Sequence, residues 1–399
     1  MLIGKKKDEG SNMKIKPFGV EIWMNEFEDH CEYNLGETCV ASLTMEQLLE
    51  MSGKNDTLMS DLLPMKLNYG AIQGSDRLRD NICTLYKKQQ RDNIVVTHGA
   101  IGANALVHET LVEPGDHVIS VRPTYQQHYS IPESYGAVVD ILHLRPENNF
   151  LPDLEEFASL VRPDTKLIVI NNPNNPTGSV MDAEFFEKFI DICRASKAYV
   201  LCDEVYRGTG QTGDGFSPAI ADLYEMGISV AGMSKTFSLA GLRLGWIAAP
   251  KEVLDAVSIH RDYNTISVGM LDDYFATMAL ESKDKIFERS QNITRQNLKI
   301  LDEWIANEPS ITYLKPQAGT TALLKYDFDM PSRDFCMQLL AETGVMMTPG
   351  SVMHMEGWVR IGYANYPEIL SAGLKQMSGF LANLRQSHAD KQTNSEVQS

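Results

Sequence analysis

Three short stretches of this 399-residue chain bring together groups that move protons, bind anions and pair with aromatic cations. Asn171-Asn172-Pro173-Asn174-Asn175-Pro176-Thr177-Gly178 offers amides, and Asp203-Glu204-Val205-Tyr206 offers carboxylates and a phenol. Ser234-Lys235, followed by Gly241, Arg243 and Gly245, offers an ammonium and a guanidinium. Each stretch follows an apolar run: Lys166 to Ile170, Tyr199 to Cys202 and Ile228 to Ala231. In an open parallel sheet, ligands bind beyond the carboxyl ends of the strands, so the three turns face one crevice. Singly they are ordinary, since a strand-end Asp is commonly a cap, Asn-Pro a turn and a loop Lys a solvated charge. The set and its order carry the signal.

One chemistry uses all these types together: pyridoxal 5'-phosphate (PLP) held as a lysine Schiff base, with an acidic partner on its pyridinium nitrogen. Lys235 would form the Schiff base and, once displaced by substrate, move the Cα proton as general base and acid. Asp203 would keep the ring nitrogen protonated, because a buried cation needs a paired anion. Asn175 and Tyr206 would hydrogen-bond the ring's phenolate oxygen, and Arg243 would clamp the phosphate as a planar fork. After the run Asn93 to Thr97, His98-Gly99-Ala100-Ile101-Gly102-Ala103 opens a helix whose terminal N–H groups suit the same phosphate. Tyr125 is a candidate to stack on the ring, although an ordinary buried tyrosine fits equally well. Arg360, on the alternating stretch Trp358 to Gly362, suits a substrate carboxylate, with a surface ion pair as the default alternative.

The elements that must position these groups are legible as apolar runs alternating with helical patterns. The runs are Asn93 to Thr97, His117 to Val121, Ala137 to Leu144, Lys166 to Ile170, Tyr199 to Asp203, Ile228 to Ala231 and Trp246 to Ala249. Such alternation predicts an α/β fold with a mainly parallel sheet. Asp182 to Ser196, with Phe185, Phe186, Phe189 and Ile190 behind an acidic first turn, reads as a crossover helix. From Asp272 to Asn307 the pattern becomes one long helix. Strands at Thr320 to Tyr326, Gly344 to Thr348 and Trp358 to Ala364, with helices at Ser332 to Thr343 and Tyr366 to Leu384, then predict a smaller α+β domain.

The joint pattern resembles the class I/II, fold-type-I PLP-dependent aminotransferases from about Gly36 to Ala364. The motifs are Asn-Pro-Asn-Asn-Pro-Thr-Gly (172–178), Asp-Glu-Val-Tyr (203–206), Ser-Lys with Gly-x-Arg-x-Gly (234–245) and Arg-x-Gly-x-Ala (360–364). The resemblance implies a large PLP-binding domain (43–271) with helices on both faces of its sheet. It also implies a small domain (14–42 and 272–386, including the long inter-domain helix) and flexible tails at 1–13 and 387–399. The implied activity moves the amino group of an L-amino acid to a 2-oxo acid. Ser234 joins the implied cofactor contacts, and Gly36, Asn175 and Arg360 the substrate contacts. Tyr69, in Leu67-Asn68-Tyr69-Gly70, would reach the phosphate of a neighbouring subunit, which implies a homodimer with shared sites. Two positions depart from the pattern. Gly232 stands where a hydroxyl residue is usual, and Ile101 where a Thr or Ser often supports the phosphate. That leaves backbone donors, Arg243 and Tyr69 to hold it.

Composition narrows the alternatives. The chain is 43% hydrophobic and 22% charged, as ordinary globular proteins are. Its 36 Lys and Arg against 53 Asp and Glu give a net charge of −17, which argues against a general nucleic-acid or anionic-membrane binder. Six scattered cysteines without a C-x-x-C pair or zinc spacing fit a reducing cytoplasm, and neither a signal-peptide stretch nor an apolar run of ~18 residues is present. Gly208-Thr209-Gly210-Gln211-Thr212-Gly213 matches G-x-G-x-x-G, yet Asp214, Gly215 and Pro218 follow where a dinucleotide site needs a helix. That stretch reads as a mobile loop lining the pocket together with Gly36 to Val40 and Tyr125. The same site also suits a C–S lyase, a racemase or a decarboxylase, because the bond that breaks depends on its angle to the ring. A sensor that has lost catalysis is a further alternative, against which the intact Lys235 stands. Which amino acid is the substrate is not legible.

Overall fold

The computed structural model describes residues 15–397; the expected N-terminal tail at 1–13 lies outside them, as do the last two residues of the expected C-terminal tail. Strand β1 (Tyr33–Asn34) precedes a central sheet made of β2 (Ile94–Thr97), β3 (His117–Arg122), β4 (Val138–His143), β5 (Thr165–Asn171), β6 (Tyr199–Asp203), β7 (Gly227–Gly232) and β8 (Gly245–Ala248). Their order is β2-β8-β7-β6-β5-β3-β4. β8 runs antiparallel to β2 and β7, while the other neighbours pair in parallel. Every strand but β8 therefore ends at the same edge.

The apolar runs of this sheet reflect burial on both faces. Side chains alternate across a strand, and β5 shows the result. Ile168 and Ile170 join one core with Phe157, Phe186 and Phe189, and Leu167 and Val169 join another with Leu106, Val107 and Val257. The crossover helix lies at Ala183–Arg194, with Asp182 accepting the Phe185 N–H at 2.9 Å and Phe186, Phe189, Ile190 and Cys193 buried. The capping carboxylate satisfies a donor that the first turn leaves free.

The second sheet has the order β12-β13-β10-β9, built from β9 (Ile311–Tyr313), β10 (Thr321–Tyr326), β12 (Thr348–Pro349) and β13 (Trp358–Gly362). β11 (Val345–Met346) instead pairs in parallel with β1. Trp23 and Leu35 share a core with Leu298, Phe335 and Phe380, so the N-terminal segment packs against the C-terminal third of the chain. The expected single helix over 272–307 is two, Met270–Glu281 and Lys283–Ala306. The break falls at Ser282 (φ −110°, ψ 18°), a residue type whose hydroxyl favours helix ends. The final helix, Pro367–Val397, passes well beyond Leu384, where the apolar pattern ends. No Gly or Pro interrupts it after Gly379. Among the described residues, no helix is long and apolar enough to cross a membrane.

Candidate active site

Beyond the common edge of the central sheet lies a cavity of about 350 Å³. Ala100, Ile101, Tyr125, Asn175, Asp203, Tyr206, Ser234, Lys235, Arg243, Arg360 and Gly36 all line it. The carboxyl ends of β5, β6 and β7 deliver Asn175, Asp203, Tyr206, Ser234 and Lys235, and the small sheet delivers Arg360 from β13.

Asp203 is buried at the end of β6, where Asn104 Nδ2 donates to its Oδ2 at 2.9 Å and the Val205 N–H donates to Oδ1 at 3.2 Å. His128 Nε2 lies 3.5 Å from the same Oδ2, outside hydrogen-bonding geometry. No Lys or Arg side chain pairs with this carboxylate among the described residues. It is thus a carboxyl group oriented by neutral donors, which suits it to a ligand cation.

Gly99 and Arg243 meet at the start of a helix. The helix Gly99–Leu111 opens toward the cavity, and a Cβ on Gly99 (φ +66°) would come within 2.9 Å of Arg243 Nη2. Arg243 is held by Ala240 O at 2.9 Å and by Ser234 Oγ at 3.4 Å. Its guanidinium therefore sits at the positive end of the helix, the place for a phosphate. Gly232 has a packing reason for lacking a hydroxyl side chain. A Cβ there would press to 3.0 Å of Leu244 O and 3.3 Å of the Ala100 nitrogen. Ile101 lines the cavity without a hydroxyl, and its carbonyl accepts from Gln127 Nε2 at 2.7 Å.

Lys235 Nζ donates to Thr38 Oγ1 at 2.6 Å and to Cys39 Sγ at 3.5 Å. Burial opposes its charge, but the Cys39, Tyr206 and Glu37 groups outweigh burial and hold the ammonium above the ordinary lysine range. Burial likewise raises the Tyr206 phenol, against the pull of Lys235 and Arg360. Arg360, only 3% exposed, donates to Gly36 O and Thr348 Oγ1, each at 3.1 Å, and to Asn175 Oδ1 at 3.3 Å. Its Nε has no partner. The surface ion pair considered for Arg360 is therefore not what forms. Tyr125 donates its hydroxyl to Glu21 at 2.8 Å, and burial, with Glu21 adding to it, pushes the phenol up.

Tyr69 does not enter this cavity. It is 69% exposed on a segment held where Ser267 Oγ donates to Tyr69 O at 2.7 Å. The loop 208–216 is also absent from the wall. Gln291 Nε2 donates to the Gly208 and Asp214 carbonyls, and Arg295 to those of Gly210 and Gly213. Its backbone acceptors are bound to the long helix, so the expectation of a mobile pocket loop is corrected. The helix Gly19–Phe27 takes that place in the wall, contributing Val20, Glu21 and Met24, with Glu28 just after it. Sequence reasoning missed these residues and also Asn104 and His128. The available signal was the three- and four-residue spacing of Glu21, Met24 and Glu28, which puts them on one helical face.

The residues present fit PLP: a buried carboxylate for the ring nitrogen, a helix terminus with an arginine for the phosphate, and a lysine amine in the same cavity. Comparison with known proteins agrees. A model of the aminotransferase class I and II family matches residues 60–370. The chain is 30% identical over 320 residues to an aspartate aminotransferase of Pyrococcus horikoshii, covering 78% of this chain and 82% of that protein. It is 28% identical over 362 residues to capreomycidine synthase of Streptomyces vinaceus, covering 90% and 92%. The crystal structure of a PLP-dependent aminotransferase from Streptococcus suis superimposes with a TM-score of 0.91 at 44% identity, covering 93% of this chain and 99% of that one. The chain thus belongs to the aminotransferase class I and II family, as a PLP-dependent enzyme of fold type I.

Proposed function

We propose that this enzyme transfers the amino group of an L-amino acid to a 2-oxo acid. The observation that carries this reading is the pairing, in one cavity, of the Lys235 amine with the buried Arg360 guanidinium, whose Nε is unpartnered. An amino acid and a 2-oxo acid share a carboxylate, and one arginine can dock both in turn. When bound, PLP supplies the electron sink that stabilises a carbanion at the substrate Cα.

The chain's own residues do the rest. Arg360, with Gly36 and Asn175 beside it, binds the substrate carboxylate and so orients the Cα. Lys235 Nζ, as the neutral amine, would take the Cα proton and return it, and Thr38 Oγ1 fixes where that nitrogen waits. Asp203 pairs with the ring nitrogen, positioned by Asn104. Asn175 and Tyr206 address the ring's phenolate oxygen, and Tyr125 addresses its face. Arg243, Ser234 and the N–H groups of Gly99, Ala100 and Ile101 hold the phosphate. Val20 and Met24 help exclude water from the cavity.

The exposed apolar residues Leu63, Leu67, Tyr69, Ile72, Tyr263 and Leu271 support a homodimer in which this surface is covered and Tyr69 completes a partner's phosphate site. The division into a large domain (43–271) and a small one (14–42 and 272–386) is part of the same proposal. The six free cysteines favour a reducing cytoplasm.

The test is the visible spectrum of the PLP-loaded enzyme, titrated with single L-amino acids in the absence of any oxo acid. Bleaching of the cofactor band with stoichiometric release of a 2-oxo acid is the expected result. A band that persists while ammonia or a thiol accumulates would replace amino transfer with elimination. A cyclised product would align the chain with the synthase it is similar to.

A further inference from the structure

The cavity has more carboxylates than the cofactor uses. Glu21 and Glu28 enter it from the helix Gly19–Phe27 and the turn that follows, and Glu37 from the loop after Gly36. Glu28 is raised by burial and then by the charges of Glu37, Asp29 and Glu21, so the three cavity carboxylates stand within reach of one another's field. None of them forms an ion pair among the described residues. Glu21 accepts from the Tyr125 hydroxyl, and Glu37 Oε1 accepts from the Thr38 and Cys39 N–H groups at 2.7 and 2.8 Å.

The cavity's cations form no ion pair with these glutamates, although, against burial, the Lys235 charge helps hold the Glu37 carboxyl below its ordinary range. Arg243 sits at the helix terminus and Lys235 on Thr38. Arg360 lines the same cavity, is 3% exposed and held at Gly36 and Asn175, and its buried Nε has no hydrogen-bond partner. That orphaned donor marks a place for a ligand anion. The site is thus bipolar, with a guanidinium for a carboxylate and three glutamates, of which only Glu37 feels the Lys235 ammonium strongly, for a positive charge. Like charges gathered in a partly desolvated space are unfavourable until a counter-charge arrives.

We propose that the amino-acid substrate carries a cationic side chain, an ammonium or a guanidinium, which docks against Glu21, Glu28 and Glu37 while Arg360 holds its carboxylate. This rests on the reading of the cavity as an amino-acid site.

The test compares pairs of nearly equal shape and different charge on the PLP-loaded enzyme: L-arginine with L-citrulline, and L-lysine with L-norleucine. The cationic member of each pair is expected to show kcat/KM at least about tenfold higher, the discrimination a charge-assisted contact supports. Glu28→Gln should lower that ratio several-fold, and Glu28→Lys should shift preference toward L-glutamate. Equal kcat/KM within both pairs would overturn the proposal and leave amino transfer standing. Should no amino acid react, amino transfer itself fails, and the same pairs are compared as ligands through the perturbed cofactor absorbance. Tighter binding of the cationic members would still support the acidic subsite, and equal binding would overturn it.

Discussion

Lys235 Nζ and Thr38 Oγ1 meet at 2.6 Å although 197 residues separate them in the chain. The contact joins the turn after β7 to the segment that follows β1. It places the amine between the floor of the cavity, made by strand ends, and a wall made by the N-terminal region. Cys39, on the same segment, lies 3.5 Å from that amine.

Lys235→Ala is expected to lower turnover by roughly 10²–10⁴-fold, the contribution of a positioned general acid–base group, and more if the covalent anchor is also limiting. Steady-state kcat and the visible band of the loaded protein check this. Turnover within tenfold of the parent enzyme would assign the proton to another group.

Arg360→Leu is expected to raise KM for α-carboxylate substrates by on the order of 10–100-fold, the equivalent of one charge-assisted pair. Simple amines should lose far less. Equal losses for both would mean that Arg360 acts mainly by tying Gly36, Thr348 and Asn175 together.

Glu204 gives the fold a pH dependence. It is 1% exposed, accepts from Ile220 N at 2.8 Å and Ser229 Oγ at 2.7 Å, and has a buried Oε2 without a partner. Burial pushes its carboxyl up from 4.5 to about 7, against the pull of Arg207. The folded state thus binds this proton more tightly than the unfolded chain. Its contribution is full below 4.5, declines as pH rises and is lost above about 7. Glu204→Gln should flatten the stability profile over that window, by up to ~3 kcal/mol at 1.36 kcal/mol per pH unit. Urea unfolding of both proteins across the window reads the effect, and parallel profiles would refute it.

Phe189→Ala should cost about 3–5 kcal/mol, as large aromatic truncations in a packed core do. Phe189 is fully buried, and its ring stacks on Phe157 with centroids 4.3 Å apart. The midpoint of denaturant unfolding checks this. A loss below about 1 kcal/mol would show that neighbouring side chains close over the space.

What the sequence determined alone is local. Short apolar runs and the turns ending them mark β2 to β8, the carboxylate of Asp182 marks where its helix begins, and Ser234-Lys235 and Asp203 mark the residues proposed to carry the chemistry. Each of these follows from residues a few positions apart, and the seven runs reappear as the seven strands of one sheet. The tertiary structure alone decided which segments meet. An apolar strand buried on both faces has the same pattern in either direction, so the reversal of β8 is invisible in its residues. The helix break at Ser282 carries no Gly or Pro to announce it. The loop 208–216 has the glycines of a mobile segment, but Gln291 and Arg295, some eighty residues on, bind its carbonyls and draw it to the long helix. The helix carrying Glu21 reaches the cavity because Trp23 and Leu35 are buried with a core contributed by residues 298–381. The charge of this cavity wall is thus set by a long-range hydrophobic contact, which no local spacing in the chain encodes.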